Sequence, residues 1–498
     1  MSVIVYKIGY GFDPFVHQAT LDLIIKNGFA EPKSLYYIGE YVLELFAFNF
    51  LPISLIWVNK LFIPLLAAIL LPLATIRALT ALNLKNSALT ILLLLILPYS
   101  FFIVTTPQAL AYLYLLLIII ISLDYNATKD KAALIAINLL ALASFVTQPI
   151  AGIPAILFAV ITSIQATKLK KSKTLNYIIY TSLVFLLPLI FYFLNLNLNP
   201  VANVSYNSIF NTFNFPSFFT DPTIPAKEGI ILNFIYLIKN NFAFIVIILA
   251  LFGFFFAKKI NLTRQYFYFS LGLFTSYLLT SSLNFSFLID YEQKDFANRI
   301  LYISSFFLLP YILVTLNWIA KKTINQNTFI KTSILTFFAI LITTSLYLSY
   351  PRHDNYFNSR GYSTGELDIE AVSWINTDAG DTNYVVLANQ QVSAASLREY
   401  GFAKYYKANN EQIFYYPIPT GGTIYQLYLD MVYLRPEYTT IEKALDLVGV
   451  DTGYFVLNKY WWAFDKIRDE AKLEADSFKV FGNEDVIIFK YKKKSTNN

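Results

Sequence analysis

The 498-residue sequence contains no cysteine. Disulfides, thiolate metal sites and cysteine nucleophiles are excluded at once. Charge is also scarce, with 14% of residues charged against 56% hydrophobic. That balance excludes an ordinary soluble protein and fits a polytopic membrane body carrying one water-soluble region. No cleavable signal peptide opens the chain, and no internal repeat is visible. Gly421-Gly422 lacks the lysine of a phosphate-binding loop and reads as a turn.

What is abundant is apolar sequence in long runs. Stretches at 60–80, 87–104, 109–123, 132–147, 150–166, 176–195, 242–257, 266–288, 300–318 and 331–350 run for roughly 15–23 residues, most of them long enough to cross a bilayer core as helices. Around 147–154 the chain makes either a tight outer turn or a broken helix. Lysine and arginine fix the orientation. Fourteen of them, among them Arg77, Lys129, Lys170, Lys258 and Lys321, fall in connections assigned inside, against eight outside. Of the twelve acids before Pro351, Asp124 and Asp130 fall inside; Asp13, Asp22, Glu31, Glu40, Glu44, Asp221, Glu228, Asp290, Glu292 and Asp295 fall outside. Long polar outer loops account for this, and so does a carboxylate-lined site that moves a proton or binds a metal. Residues 1–350 carry a net charge of +10 and residues 351–498 carry −4, so the positive excess is anchoring charge and not a nucleic-acid footprint.

Three regions follow: a first outer loop at 1–59, a multi-span body at 60–350 and an extracytoplasmic α/β domain at 351–498. Ten spans leave nothing to export the N-terminal segment, so the reading expects one further span upstream. In the first loop, Asp13-Pro14 with apolar residues behind it and Gly28 predicts a capped helix. A second helix at 38–48 is expected along the interface, with Tyr41, Leu43, Leu45 and Phe46 toward lipid and Glu40 and Glu44 in water. The long aromatic loop at 196–241 reads as a lid on the membrane surface. Beyond Pro351, helices are expected at 365–376, 392–400, 425–433, 440–448 and 462–475. Strands are expected at 384–387 and 454–457, followed by a final strand pair at 478–481 and 486–491. Trp461-Trp462 reads as packing.

Gly11-Phe12-Asp13-Pro14-Phe15-Val16-His17 is an outer-loop aspartate in an Asp-Pro-aromatic setting, before a helix that ends in glycine. With Pro32–Tyr41 behind it and Gly453-Tyr-Phe-Val-Leu457 near the end, this resembles the membrane-integral C-type glycosyltransferase superfamily, which includes the oligosaccharyltransferase catalytic subunit. Trp461-Trp462 is followed by Ala463 where oligosaccharyltransferases carry aspartate, so sequon recognition is not expected. The second acidic position of that family has no clear counterpart, and Glu228, Asp290 or Asp295 would have to fill it. The resemblance implies transfer of a sugar from a polyprenyl-phosphate carrier to a glycan, lipid or protein acceptor outside the plasma membrane, with a divalent cation, Mg or Mn, as the cofactor. It makes Asp13 a base or metal ligand, beside its plain reading as a helix cap. His17, one turn on, is a proton carrier or ligand, or a polar surface residue. Arg299 grips a lipid phosphate through its planar fork, or snorkels and pairs with Asp295. Lys227 and Glu228 in the long loop are further substrate contacts, and Asp290 a further metal ligand. A lipid-linked-sugar flippase or other transporter, and a non-catalytic protein binding surface polymer or a partner, are the rival classes. Span interiors nearly free of charge argue against the transporter.

Overall fold

Apolar stretches fold as helices because a backbone kept from water must close its own hydrogen bonds. The computed structural model describes residues 8–29, 37–84, 87–97, 99–167, 172–198, 204–206, 229–257, 264–285, 290–349, 354, 363–408, 411–418 and 422–494. The chain divides into two compact units. One comprises Met1–Ser34, Ser54–Lys60 and His353–Asn498; the other comprises Leu35–Ile53 and Leu61–Arg352.

Helices run in chain order as α1 (Asp13–Asn27), α2 (Ile38–Phe50), α3 (Leu55–Ala81), α4 (Ser87–Leu94), α5 (Pro107–Thr128), α6 (Lys131–Thr147), α7 (Pro149–Gln165) and α8 (Lys173–Leu198). After the short strand β1 (Val204–Tyr206) come α9 (Ile230–Asn240), α10 (Phe242–Ala257) and α11 (Gln265–Ser282), then β2 (Leu283–Phe285), α12 (Asp290–Phe306), α13 (Leu309–Ile324) and α14 (Thr328–Ser349). Among the described residues four helices, α3, α5, α8 and α14, are long and apolar enough to cross a membrane, or up to six spans result if the bent pairs α9–α10 (57°) and α12–α13 (47°) each count as one. The stretch expected at 87–104 stops being helical at Leu94, and the one at 300–318 breaks before Leu309-Pro310, where proline cannot donate to the preceding turn. At 147–154 the helix ends on Thr147 and restarts at Pro149, so the break is a tight turn.

Within this unit α5 is the axis: 83% of its apolar window is buried, against 28% for α3 and α8 and 17% for α14. Polar side chains link the helices where lipid would offer them nothing. Ser122 of α5 meets the Tyr266 hydroxyl of α11 at 2.8 Å, Thr315 of α13 donates to the Leu249 carbonyl of α10 at 2.7 Å, and Asn317 donates to Thr90 at 3.0 Å. At the far end of α5, Arg77 binds Asp124 at 2.6 Å and Asp130 at 3.0 Å.

α2 corrects an expectation. Glu40, Tyr41 and Glu44 are fully buried, while Val42, Phe46 and Phe50 are more than half exposed. The helix turns its acids inward and an apolar stripe at i, i+4, i+8 outward, the reverse of an interfacial helix in contact with water.

The other unit is mixed α/β. Its helices are α1, α15 (Glu366–Ala379), α16 (Gln390–Tyr400), α17 (Thr423–Leu429), α18 (Tyr438–Val448) and α19 (Phe464–Glu474). Strands β3 (Tyr384–Leu387), β6 (Thr452–Asn458), β8 (Val486–Lys492) and β7 (Ser477–Phe481) form one sheet in that spatial order. β3 and β6 pair in parallel with Val386 opposite Tyr454, and β6–β8 and β8–β7 are antiparallel. The hairpin of β4 (Tyr405–Ala408) and β5 (Glu411–Phe414) was not expected; its strands are short and polar and carry no run of apolar alternation. α1 packs into this unit: Ala19 shares a core with Val372, Val392 and Ala395. Its N-cap position is Phe12, not Asp13, and Gly28 closes it at φ 79° in the left-handed region that glycine tolerates.

On the rim of the sheet, the Asp378 carboxylate accepts from Lys490 Nζ and from the Tyr454 hydroxyl, each at 2.7 Å. Partial burial opposes ionisation there, yet these partners hold the carboxyl below its ordinary value of 3.8. A depressed folded-state value stabilises the fold above the ordinary value and loses that effect as pH falls through the folded one. Acid unfolding of Asp378→Asn, followed by circular dichroism below pH 4, should therefore be shallower than that of the wild type.

Candidate functional site

The sequence offers two groups of candidate residues, and each lies within one unit. In the α/β unit, Gly9 and Gly11 turn the chain with φ of 113° and 84°. Gly11 donates to Ser363 Oγ at 3.0 Å and accepts from the Thr364 N–H at 3.1 Å, so the turn that precedes α1 is tied down by the segment entering α15. Asp13 then projects, exposed, from the first turn of α1. Phe15 is buried under the guanidinium of Arg398, 5.9 Å from the ring centre. His17 is 8% exposed, which corrects its reading as a surface residue: only Asp13 of this pair faces solvent.

In the helical unit, Arg299 Nη2 and Asp295 Oδ2 meet at 2.5 Å across one turn of α12, with the arginine side chain 31% exposed and therefore reachable. Both charges act on the Tyr112 hydroxyl of α5. That hydroxyl also accepts from Gln108 Nε2 at 3.1 Å. Phe101 and Phe306 wall the group. The Phe101 ring stands edge-on to Tyr112 at 5.5 Å and Tyr302 at 5.3 Å, and Tyr112 to Phe306 at 5.2 Å. The arrangement is a partly exposed guanidinium, oriented by one carboxylate, at the start of the bundle's central helix. Such a fork binds phosphate oxygens in pairs, and the rings beside it suit an isoprenoid or sugar face. Tyr112 and Gln108 escaped sequence reasoning because they sit within an otherwise apolar run and carry no motif.

Lys227 and Glu228 lie outside the described residues, and of Asp290 only the helical backbone is described. Among the described residues no three His, Asp or Glu side chains gather as a metal site. Asp13 is not part of such a group among the described residues.

A third polar group lies at the carboxyl ends of the parallel strands β3 and β6, where ligands often bind in α/β folds. Asn389 Nδ2 donates to Asn458 Oδ1 at 2.6 Å, Asn458 Nδ2 donates to Asp368 Oδ1 at 2.8 Å, and Asp368 Oδ2 accepts from the Gly365 N–H at 2.8 Å. Asn389 Oδ1 caps α16 through the Val392 N–H. Burial raises the Asp368 carboxyl above its ordinary value, against the pull of the Gly365 and Asn458 donors. These groups satisfy one another, so the cluster is a clamp joining α15 and α16 to the sheet. Asn458→Ala would leave Asp368 Oδ1 without this donor. It should cost about 1–3 kcal/mol, read as a lowered Tm of the detergent-solubilised chain.

No family model matches this chain, and no curated protein matches it.

Proposed function

We propose that this chain is a membrane glycosyltransferase of the C-type kind, moving a sugar from a polyprenyl-phosphate donor to an acceptor hydroxyl or amide at the outer face of the plasma membrane. The observation that carries the reading is Arg299, a reachable guanidinium oriented by Asp295 beside aromatic rings in an apolar helical unit. In this reading the acceptor heteroatom attacks the anomeric carbon while the bond from that carbon to the phosphate oxygen breaks. Asp13 accepts the acceptor's proton, and the guanidinium offsets the charge gathering on the departing polyprenyl phosphate. His17, buried one turn below, positions α1. The carrier's tail stays in lipid.

The reading keeps ten spans. Ten is the number of apolar stretches in the sequence; among the described residues four helices, or six spans with the bent pairs, support a multi-pass body, and the lysine and arginine bias supports an outside position for the α/β region. A chain without cysteine makes the sidedness test clean, because any introduced thiol is the sole one. A membrane-impermeant maleimide should label Lys479→Cys on intact cells and leave Lys322→Cys unlabelled; the opposite pattern would overturn the orientation.

For the phosphate role, Arg299→Lys keeps the charge but loses the planar fork. With a labelled polyprenyl-phosphate sugar, it should raise the donor KM about tenfold, a loss of about 1.4 kcal/mol of binding, with acceptor KM unchanged. An unchanged donor KM would remove the phosphate assignment. A transporter remains the second reading, because Glu40 and Glu44 are ionisable groups buried in the helical unit. Uptake of a labelled lipid-linked sugar without transfer to any acceptor would favour it.

A further inference from the structure

The helical unit holds a feature that the transferase reading does not use. Glu40 and Glu44, one turn apart on the same face of α2, are both fully buried against the bundle. Among the described residues neither carboxylate oxygen of Glu40 has a hydrogen-bond partner. Among the described residues the charge that acts on Glu40 is that of Glu44, of like sign. Burial first, and Glu44 second, push the Glu40 carboxyl well above its ordinary range.

The surroundings add acceptors. Gly39, immediately before Glu40, lies so close to α6 that a Cβ there would overlap Thr147 Oγ1 and come within 3.0 Å of the Thr147 amide nitrogen. The next residue, Gln148, is 4% exposed, and its Oε1 also has no hydrogen-bond partner among the described residues. Orphaned acceptor atoms therefore flank both sides of one close contact between α2 and the α6–α7 turn. Buried acceptors without donors are rare in folded proteins and call for an unseen partner. A partner of positive charge satisfies several at once, whereas a water would bring the pair no charge.

We propose that Glu40 and Glu44, completed by Gln148, bind one divalent cation. Two carboxylates one helical turn apart can share a single ion, as paired ligands at i and i+4 do in helical metal sites. Their two negative charges match a divalent cation, and a donor set made only of oxygen selects hard ions such as Ca²⁺, Mg²⁺ or Mn²⁺ over softer metals. The outward stripe of Val42, Phe46 and Phe50 then faces lipid while the ion sits on the bundle side. Bound this way, the cation fastens α2 to the bundle.

The test uses Mn²⁺ and the full chain in detergent micelles at pH 7.5, with free Mn²⁺ counted by electron paramagnetic resonance. Wild type should hold one more Mn²⁺ per chain than Glu40→Gln, Glu44→Gln should lose the same equivalent, and Asp13→Asn should keep it. Equal Mn²⁺ counts in wild type and Glu40→Gln would overturn the proposal; a higher Tm for Glu40→Gln would then identify the bound species as a proton. If the glutamine variants fail to fold, the wild-type Tm in Mn²⁺ against EDTA decides. A rise supports the site and no change overturns it. Sugar transfer is not a readout here, so this result and the transferase reading stand or fall separately.

Discussion

Gly253→Val should prevent the helical unit from assembling. Gly253 lies in α10 where that helix crosses α13, and even a Cβ there would overlap the Tyr311 carbonyl oxygen and sit 2.5 Å from its carbon. The obstacle is backbone, so no rotamer change relieves it; the helices must separate. Separation would break the hydrogen bond from Thr315 to the Leu249 carbonyl, 2.7 Å long, and pull the Phe254 ring from Tyr311, 5.5 Å away. Overpacking of this kind costs about 3 kcal/mol or more, and a carbonyl left without its donor in an apolar setting adds to that. Small residues at helix crossings in lipid exist for this closeness. Gly229→Ala is the control, since nothing lies within 4 Å of the added carbon. Gel filtration in detergent should give a monodisperse peak for Gly229→Ala and aggregate for Gly253→Val. Monodisperse Gly253→Val with an unchanged Tm would refute the packing described.

Asp13→Asn should reduce sugar transfer by about 10²–10⁴-fold, the usual loss when a positioned base is removed. The side chain is exposed on the first turn of α1, and the substitution keeps its shape, so folding should be untouched. Asp22→Asn, on the same helix, is the matched control and should retain near-wild-type turnover. The measurement is transfer from a labelled polyprenyl-phosphate sugar at saturating donor. Full turnover in Asp13→Asn would end the assignment of Asp13 as base and leave α1 as a structural helix of the α/β unit.

Much of the fold was legible because period and punctuation agree. α1 starts at Asp13-Pro14 and stops at Gly28 as the turn chemistry requires, and Tyr384–Leu387 and the middle of the Thr452–Asn458 strand, Tyr454–Leu457, are continuous apolar runs, as strands buried on both faces are. Where single residues decide, the sequence was silent or misleading. Glu40 and Glu44 read as wet because glutamate is almost never fully buried, and only the packing of α2 against α5 and α6 shows otherwise. The closeness of Gly253 to Tyr311 joins positions far apart in the chain, which no local pattern encodes. Arg299 with Asp295 was visible as an i, i+4 pair, yet the Tyr112 and Phe101 side chains that shape its setting come from other helices.

The core that Ala19 shares with Val372, Val392 and Ala395 joins two segments separated by more than three hundred residues of sequence. During synthesis the ribosome releases α1 long before its binding surface exists, so the apolar flank of this helix must wait through the making of every membrane segment. The lobe therefore matures last. A nascent chain halted before α15 would carry an orphan helix, a natural handle for quality-control proteases that discard unfinished copies.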